Sequence, residues 1–190
     1  AAGTMQRASV TSTGGERNQG SESASRVVWP AISGDGRWVA YATTASNLVA
    51  GDTNGRQDVF LFDTQTGTVR RASVSSSGAQ ADADAPVGQG ERVSLSRDGT
   101  WVAFGSTATN LGAATGTTGI GNVFIHNRVT GETRAVTNQT NGSVSASPAI
   151  SRDGGYVVFG AAAQLDPRVT GSGWFVNFTE VNRAFYWPGD

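Results

Sequence analysis

The residues best suited by type and spacing to chemistry lie in Asp52-Thr53-Asn54-Gly55-Arg56-Gln57-Asp58. Alternating oxygen-bearing side chains on a glycine-turned loop suit a hard cation such as Ca2+. Asp52, Asn54 and Asp58 would then be the side-chain donors, with backbone carbonyls completing the shell. The set lacks the fifth-position donor and the closing Glu of an EF-hand loop. The competing reading is an Asn-Gly turn whose Asp and Asn side chains bond nearby backbone amides. The matching stretch further on, Thr115-Gly116-Thr117-Thr118 with Asn122, has no carboxylate, so at most one unit keeps such a site.

The single histidine, His126, stands where Phe62 stood earlier in the chain, with Asn127 in place of Asp63. A Ser-His-Asp site needs a serine and a carboxylate beside the imidazole, and a substituted strand residue reads instead as structural. Neither a G-x-S-x-G elbow nor an H-E-x-x-H helix motif is present. The expectation is a chain with no catalytic residues and no enzyme activity of its own. Asp82 and Asp84 form a carboxylate pair of the kind that divides acid and base roles, but they stand in an Ala/Gly-rich connection and read as solvated. Trp38, Trp101 and Tyr156 recur at one repeat position, as core packing requires. Trp29, Trp174 and Trp187 do not recur and are the freer candidates for a ligand-binding surface. Sequons at Asn138, Asn141 and Asn177 read as coincidental.

These residues are positioned by a repeat. Ser33-Gly34-Asp35-Gly36-Arg37-Trp38-Val39-Ala40-Tyr41 returns as Ser96-Arg97-Asp98-Gly99-Thr100-Trp101-Val102-Ala103-Phe104, and again as Ser151-Arg152-Asp153-Gly154-Gly155-Tyr156-Val157-Val158-Phe159. Asp-Gly between apolar runs predicts a tight hairpin. Each unit supplies four strands. The first has Trp29 to Ile32, Trp38 to Thr43, Val59 to Phe62 and Val69 to Val74; the second has Val93 to Leu95, Trp101 to Ser106, Val123 to Ile125 and Thr133 to Thr137. The third, most drifted, has Ala149-Ile150, Tyr156 to Phe159, Trp174 to Phe178 and Arg183 to Trp187. Arg7-Ala8-Ser9-Val10 reappears as Arg71-Ala72-Ser73-Val74, and Arg134-Ala135-Val136-Thr137 is taken as its next copy. The chain therefore reads as one array over residues 1–190, with units at roughly 5–74, 75–137 and 138–190.

Composition agrees. Among 190 residues there are 26 glycines and no cysteine, and the net charge is −1. That excludes a disulfide framework, a thiolate metal site and a basic field for nucleic acid. No apolar run is long enough to insert in a membrane as a helix. All 14 cationic residues are arginine. The small-residue start, Ala1-Ala2-Gly3-Thr4, suits a chain left after removal of a signal peptide.

The strand Val59-Phe60-Leu61-Phe62 is apolar throughout and must be covered on both faces. Four-stranded sheets stacked face to face around an axis provide that cover, as in a β-propeller. The Ser-x-Asp-Gly-x-aromatic-Val-Ala-aromatic pattern, the Asn47-Leu48 that follows and the aromatic third strand resemble the TolB-type, WD-like repeat of bacterial propellers. The resemblance implies an all-β propeller, exported to the periplasm or secreted, that binds a protein partner without catalysing a reaction. It leaves two alternatives, a lectin-like glycan-binding propeller and the propeller portion of a larger hydrolase or lyase. Propellers have four to eight blades and three are found, so further chain or further copies are expected to complete the ring. Two three-blade halves would make six by two-fold symmetry.

Overall fold

The computed structural model describes residues 5–18, 29–85, 92–112, 121–138, 144–161, 173–178 and 184–187; at 144–146, 161, 173–178 and 184–187 the description covers the backbone alone. Twelve strands form three four-stranded antiparallel sheets, with no helix among the described residues. The first sheet is β1 (Ala31–Ile32), β2 (Trp38–Thr43), β3 (Asp58–Asp63) and β4 (Val69–Arg71). The second is β5 (Val93–Leu95), β6 (Trp101–Ser106), β7 (Asn122–Asn127) and β8 (Thr133–Ala135). The third is β9 (Val144–Ile150), β10 (Tyr156–Ala161), β11 (Gly173–Phe178) and β12 (Ala184–Trp187). Every sheet is a simple up-and-down meander in chain order, the form of a propeller blade.

The repeated motif is explained by one bonding pattern. In each copy the serine hydroxyl donates to the aspartate two residues on, at 2.5, 2.7 and 2.5 Å for Ser33, Ser96 and Ser151. The same oxygen accepts the N–H of the aromatic residue five positions on, at 2.9 Å in all three. The aspartate also accepts the N–H two residues after it, from Arg37, Thr100 and Gly155. The intervening glycine has φ of 74°, 66° and 77°, a left-handed conformation that a side chain disfavours. Serine, aspartate, glycine and the aromatic are thus fixed by one local network.

The all-apolar third strand packs on both sides, as expected. Val59 and Leu61 join Trp38, Ala40, Val93, Val102, Phe104 and Phe124 in a core between the first and second blades. Phe60 and Phe62 point the other way, into a cluster with Tyr41, Leu48 and Val69 that Ala8 and Val10 help to cover. A third cluster, with Ala103, Ile125, Val157 and Phe159, joins the second and third blades.

The N-terminal stretch repeats a connection rather than a free strand. Thr11 and Ser75 each accept the amide four residues on through their hydroxyls, and each N–H bonds the carbonyl of that same residue. Asn18 is gripped by Asn47 as Asp82 is by Asn110. Ala8–Asn18 therefore lies against the first blade as Ala72–Asp82 lies against the second.

Three sequence expectations need correction. Trp29 makes only an isolated parallel bridge to Arg92, so β1 begins at Ala31 rather than Trp29. The fourth strands end at Arg71 and Ala135, because a local bulge follows in which two successive N–H groups turn to one carbonyl, Val59 or Val123. Arg134 is not the counterpart of Arg71: it pairs with Ile125 as Arg70 pairs with Leu61. Ala135, opposite Phe124, holds the place of Arg71 opposite Phe60. The repeated Arg-Ala dipeptide disguised this one-residue slip, which sends every side chain of the strand to the other face.

Candidate functional site

The inner strands β1, β5 and β9 are neighbours, so their Ser-x-Asp-Gly turns converge at one end of the axis. They are tied by backbone bonds through the residue after the serine: Gly34 N–H to Arg97 O at 2.7 Å, then Arg97 N–H to Arg152 O at 2.9 Å. The turns enclose a groove of about 830 Å3 lined by Gly34, Asp35, Arg97, Asp98, Ser151, Arg152, Asp153 and Tyr156. Gly34 leaves room for its neighbour, since a Cβ there would stand 2.5 Å from Arg97 Cγ. Arg97 and Arg152 are exposed, and neither side chain has an ion-pair partner among the described residues. The carboxylates beside them are held ionised by the turns. Hydrogen bonds from Ser33 and Ser151 lower Asp35 and Asp153 below the usual carboxylate range. At Asp98 burial pushes upward, but bonds from Thr100 and Ser96 outweigh it. The groove therefore offers two guanidinium donors and carboxylate acceptors on a rigid frame. Its lining could not be read from sequence, because the residue after the serine is the motif's variable position.

The structure does bring Asp52, Asn54 and Asp58 together, around Arg71. The guanidinium lies 3.2 Å from Asp52 and 3.7 Å from Asp58, and all three charged side chains are buried. Asp58 accepts from Ser73 at 2.5 Å and from the Asn54 amide at 3.0 Å. The Asn54 oxygen is turned to the Arg56 N–H, and Gln80 clamps the loop through Gly51, Thr53 and Asn54. Burial pushes both carboxyls above their ordinary values, with Arg71 pulling the other way. One Asp52 oxygen and the Arg71 Nε are buried without a hydrogen bond among the described residues. The positive charge at the centre of this loop is the protein's own. Sequence reasoning missed Arg71, which the β3–β4 register alone brings opposite Phe60.

His126 is buried in β7 with its Nδ1 2.9 Å from the Thr133 hydroxyl. Because that hydroxyl donates to the Val74 carbonyl, it accepts from an Nδ1–H tautomer. Burial lowers the imidazole to a pKa of about 4. Asp82 and Asp84 are not merely solvated: Asp82 accepts from the Thr109 N–H and hydroxyl, and Asp84 from the Gln57 N–H. No group of three or more His, Cys, Asp and Glu side chains is placed to hold a metal among the described residues.

Trp29 is half exposed, with the Arg92 guanidinium 5.3 Å from its ring centre. Trp174 and Trp187 are Cα partners across β11 and β12, and their side chains lie outside the described part; the sequon beginning at Asn141 lies outside the described residues, and of the one beginning at Asn177 only the backbone of Asn177 and Phe178 is described. The recurring aromatics differ along the array: Trp38 is buried at 5 % exposure, Trp101 is intermediate and Tyr156 is exposed at 42 %.

No protein-family model matches the chain, and no curated protein does. Solved structures do match in fold. TolB from Acinetobacter baumannii superposes with a TM-score of 0.51 at 14% identity, over 83% of this chain and 31% of that one. The β-propeller domain of the Trilobed protease from Pyrococcus furiosus gives 0.50 at 13% identity, over 84% of this chain and 41% of that one. The fold is that of TolB-like β-propeller blades, and the chain spans less than half the length of either structure.

Proposed function

We propose that the chain is a non-catalytic, exported binding module whose axial groove grips an acidic segment of a protein partner. The observation that carries this reading is the pair Arg97 and Arg152, exposed in a walled groove without ion partners among the described residues. A planar guanidinium held on a rigid turn is suited to bidentate carboxylate binding. The flanking Asp35 and Asp153 keep an outer oxygen available for N–H donors, and a peptide offers both carboxylates and amide donors. The resemblance of the repeat to TolB-type propellers supports a protein partner and a periplasmic location.

Panning a random peptide display library on the purified chain tests this. Enrichment of Asp- and Glu-bearing peptides is expected, with binding weakened about tenfold or more in Arg97→Ala/Arg152→Ala. Neutral peptides, or affinity unchanged in the double variant, would overturn it. A glycan-binding reading draws on half-exposed Trp29 and predicts hits on a glycan array that disappear in Trp29→Ala.

A further inference from the structure

The seam between the second and third blades has its charge matched. Arg134 lies over Trp101, its guanidinium 5.8 Å from the ring centre, and bonds Glu132 through two N–H groups at 2.6 and 2.9 Å. The seam between the first and second blades has the same parts without that match. Arg70 pairs with Leu61 as Arg134 pairs with Ile125, but Thr68 takes the place of Glu132. Arg70 is exposed, and its side chain has no hydrogen bond or ion pair among the described residues.

To this seam the second blade adds Arg128, whose guanidinium lies 4.0 Å from the Trp38 ring centre. Its Nε bonds the Gly99 carbonyl at 2.9 Å, and its other guanidinium N–H groups have no bond among the described residues. Arg37 lies over the same ring, 5.1 Å from its centre, but spends two N–H groups on Asp63. Asp98 is turned to Ser96 and Thr100. The crowding of like charge is felt at Arg128. Burial first, then Arg37 and Arg70, hold it below the ordinary arginine value, with Asp98 and Asp63 opposing. Partly buried guanidiniums with spare N–H donors are what a carboxylate satisfies best.

We propose that this seam is a second carboxylate site, in which Arg128 and Arg70 bind a further acidic side chain of the segment held by the axial groove. It rests on the groove reading for the source of that side chain, and on the seam alone for its capture. Groove and seam share one turn: Asp98 lines the groove, and the Gly99 carbonyl beside it holds Arg128. Arg97 and Gly99 are two residues apart, so their Cα atoms lie within about 7 Å. An extended segment reaches from one site to the other with one to three residues between its acidic side chains, about 7–13 Å.

Capped Gly/Ser peptides carrying one Glu, or two Glu at those spacings, test this by fluorescence anisotropy and by the arginine Nε–H NMR signals of the isotope-labelled chain. The second Glu is expected to tighten binding about tenfold. It should move the Arg128 and Arg70 signals and leave that of Arg134, already bonded to Glu132, in place. Arg70→Gln should remove most of the gain while single-Glu binding persists. Thr68→Glu, which gives Arg70 the second blade's partner, should do the same without removing an arginine. No gain from the second Glu, or a gain that survives both variants, would overturn the second site. A single-Glu peptide that neither binds nor moves Arg97 or Arg152 would overturn the groove reading instead. Acetate then reads the seam alone, in the Arg97→Ala/Arg152→Ala chain. It should move Arg128 and Arg70 before Arg134, and a seam that responds no earlier than Arg134 would refute the site.

Discussion

In the first blade, buried Asp58 accepts from Ser73 and faces Arg71. The second blade places Asn122, Thr137 and Ala135 at those three positions, and Thr137 donates to Asn122 at 2.8 Å. Arg37 and Asp63 form a two-bonded ion pair in the first blade, where Asp63 also accepts the Gln65 N–H; Thr100 and Asn127 replace them in the second, where the Asn127 oxygen keeps the matching bond from Val129 and adds one from Thr130. Phe62 opposite Val69 becomes His126 opposite Thr133, an apolar pair exchanged for a hydrogen-bonded one. In all three exchanges both partners change together. A buried carboxylate is retained only where its guanidinium is, because a lone charge in a blade interior costs several kcal/mol. The backbone is common to both blades, and the polar interior is a set of interchangeable matched pairs.

The largest break in this pairing is expected from Arg71→Ala, which leaves Asp52 and Asp58 buried without their counter-charge. A loss of about 3–5 kcal/mol is expected in urea unfolding. Making the site resemble the second blade, with Arg71→Ala/Asp58→Asn/Asp52→Asn, should restore most of that stability. A triple variant no better than the single one would separate the three residues energetically. Since Arg71 already supplies the central charge, a calcium chelator should leave the wild-type melting curve unmoved.

His126 gives the comparison a pH signature. Its folded pKa of about 4 lies below the usual 6.5, so the unfolded chain takes up the proton first. The stability from neutral His126 is complete above about pH 6.5 and is lost as pH falls toward 4, by roughly 3 kcal/mol. Asp63, held at about 2 by the hydrogen bond from Arg37, loses its share only below the ordinary carboxylate range. His126→Phe/Thr133→Val, the first blade's pair, should flatten the pH 4–6.5 limb of a denaturation series; an unchanged limb would assign it to another group.

The turn glycines separate next. Gly36→Ala meets open space and carries only the left-handed backbone penalty of about 1–2 kcal/mol. Gly99→Ala has the same penalty and also drives a methyl into Trp38, so it should cost distinctly more in thermal melting. The smallest effect is expected at Tyr41, whose counterpart is Phe104. Both rings stack on a phenylalanine, at 6.0 and 6.1 Å between centroids. The buried Tyr41 hydroxyl lacks a partner among the described residues. Tyr41→Phe should leave stability unchanged or raise it by about 1 kcal/mol.

What the sequence revealed follows from how local each interaction is. The serine, aspartate, glycine and aromatic of the turn bond one another within six residues, so the motif announced both the hairpin and the blade. The two-sided apolar strand announced stacking. Arg71 was hidden because its partners are 13 and 19 residues away and the link depends on β-register, which the bulge after β4 and the repeated Arg-Ala dipeptide obscured. The groove was hidden for a different reason. It is made by the residues the repeat does not fix, Gly34, Arg97 and Arg152, brought together only when the blades stack.

Amide hydrogen exchange at Gly34 and Arg97 tests the stacking of the blades most directly. Both amides should be protected in the folded chain, since each donates to a carbonyl of the next blade's turn. Free exchange at either amide in the folded chain would contradict the backbone ladder that joins the three turns.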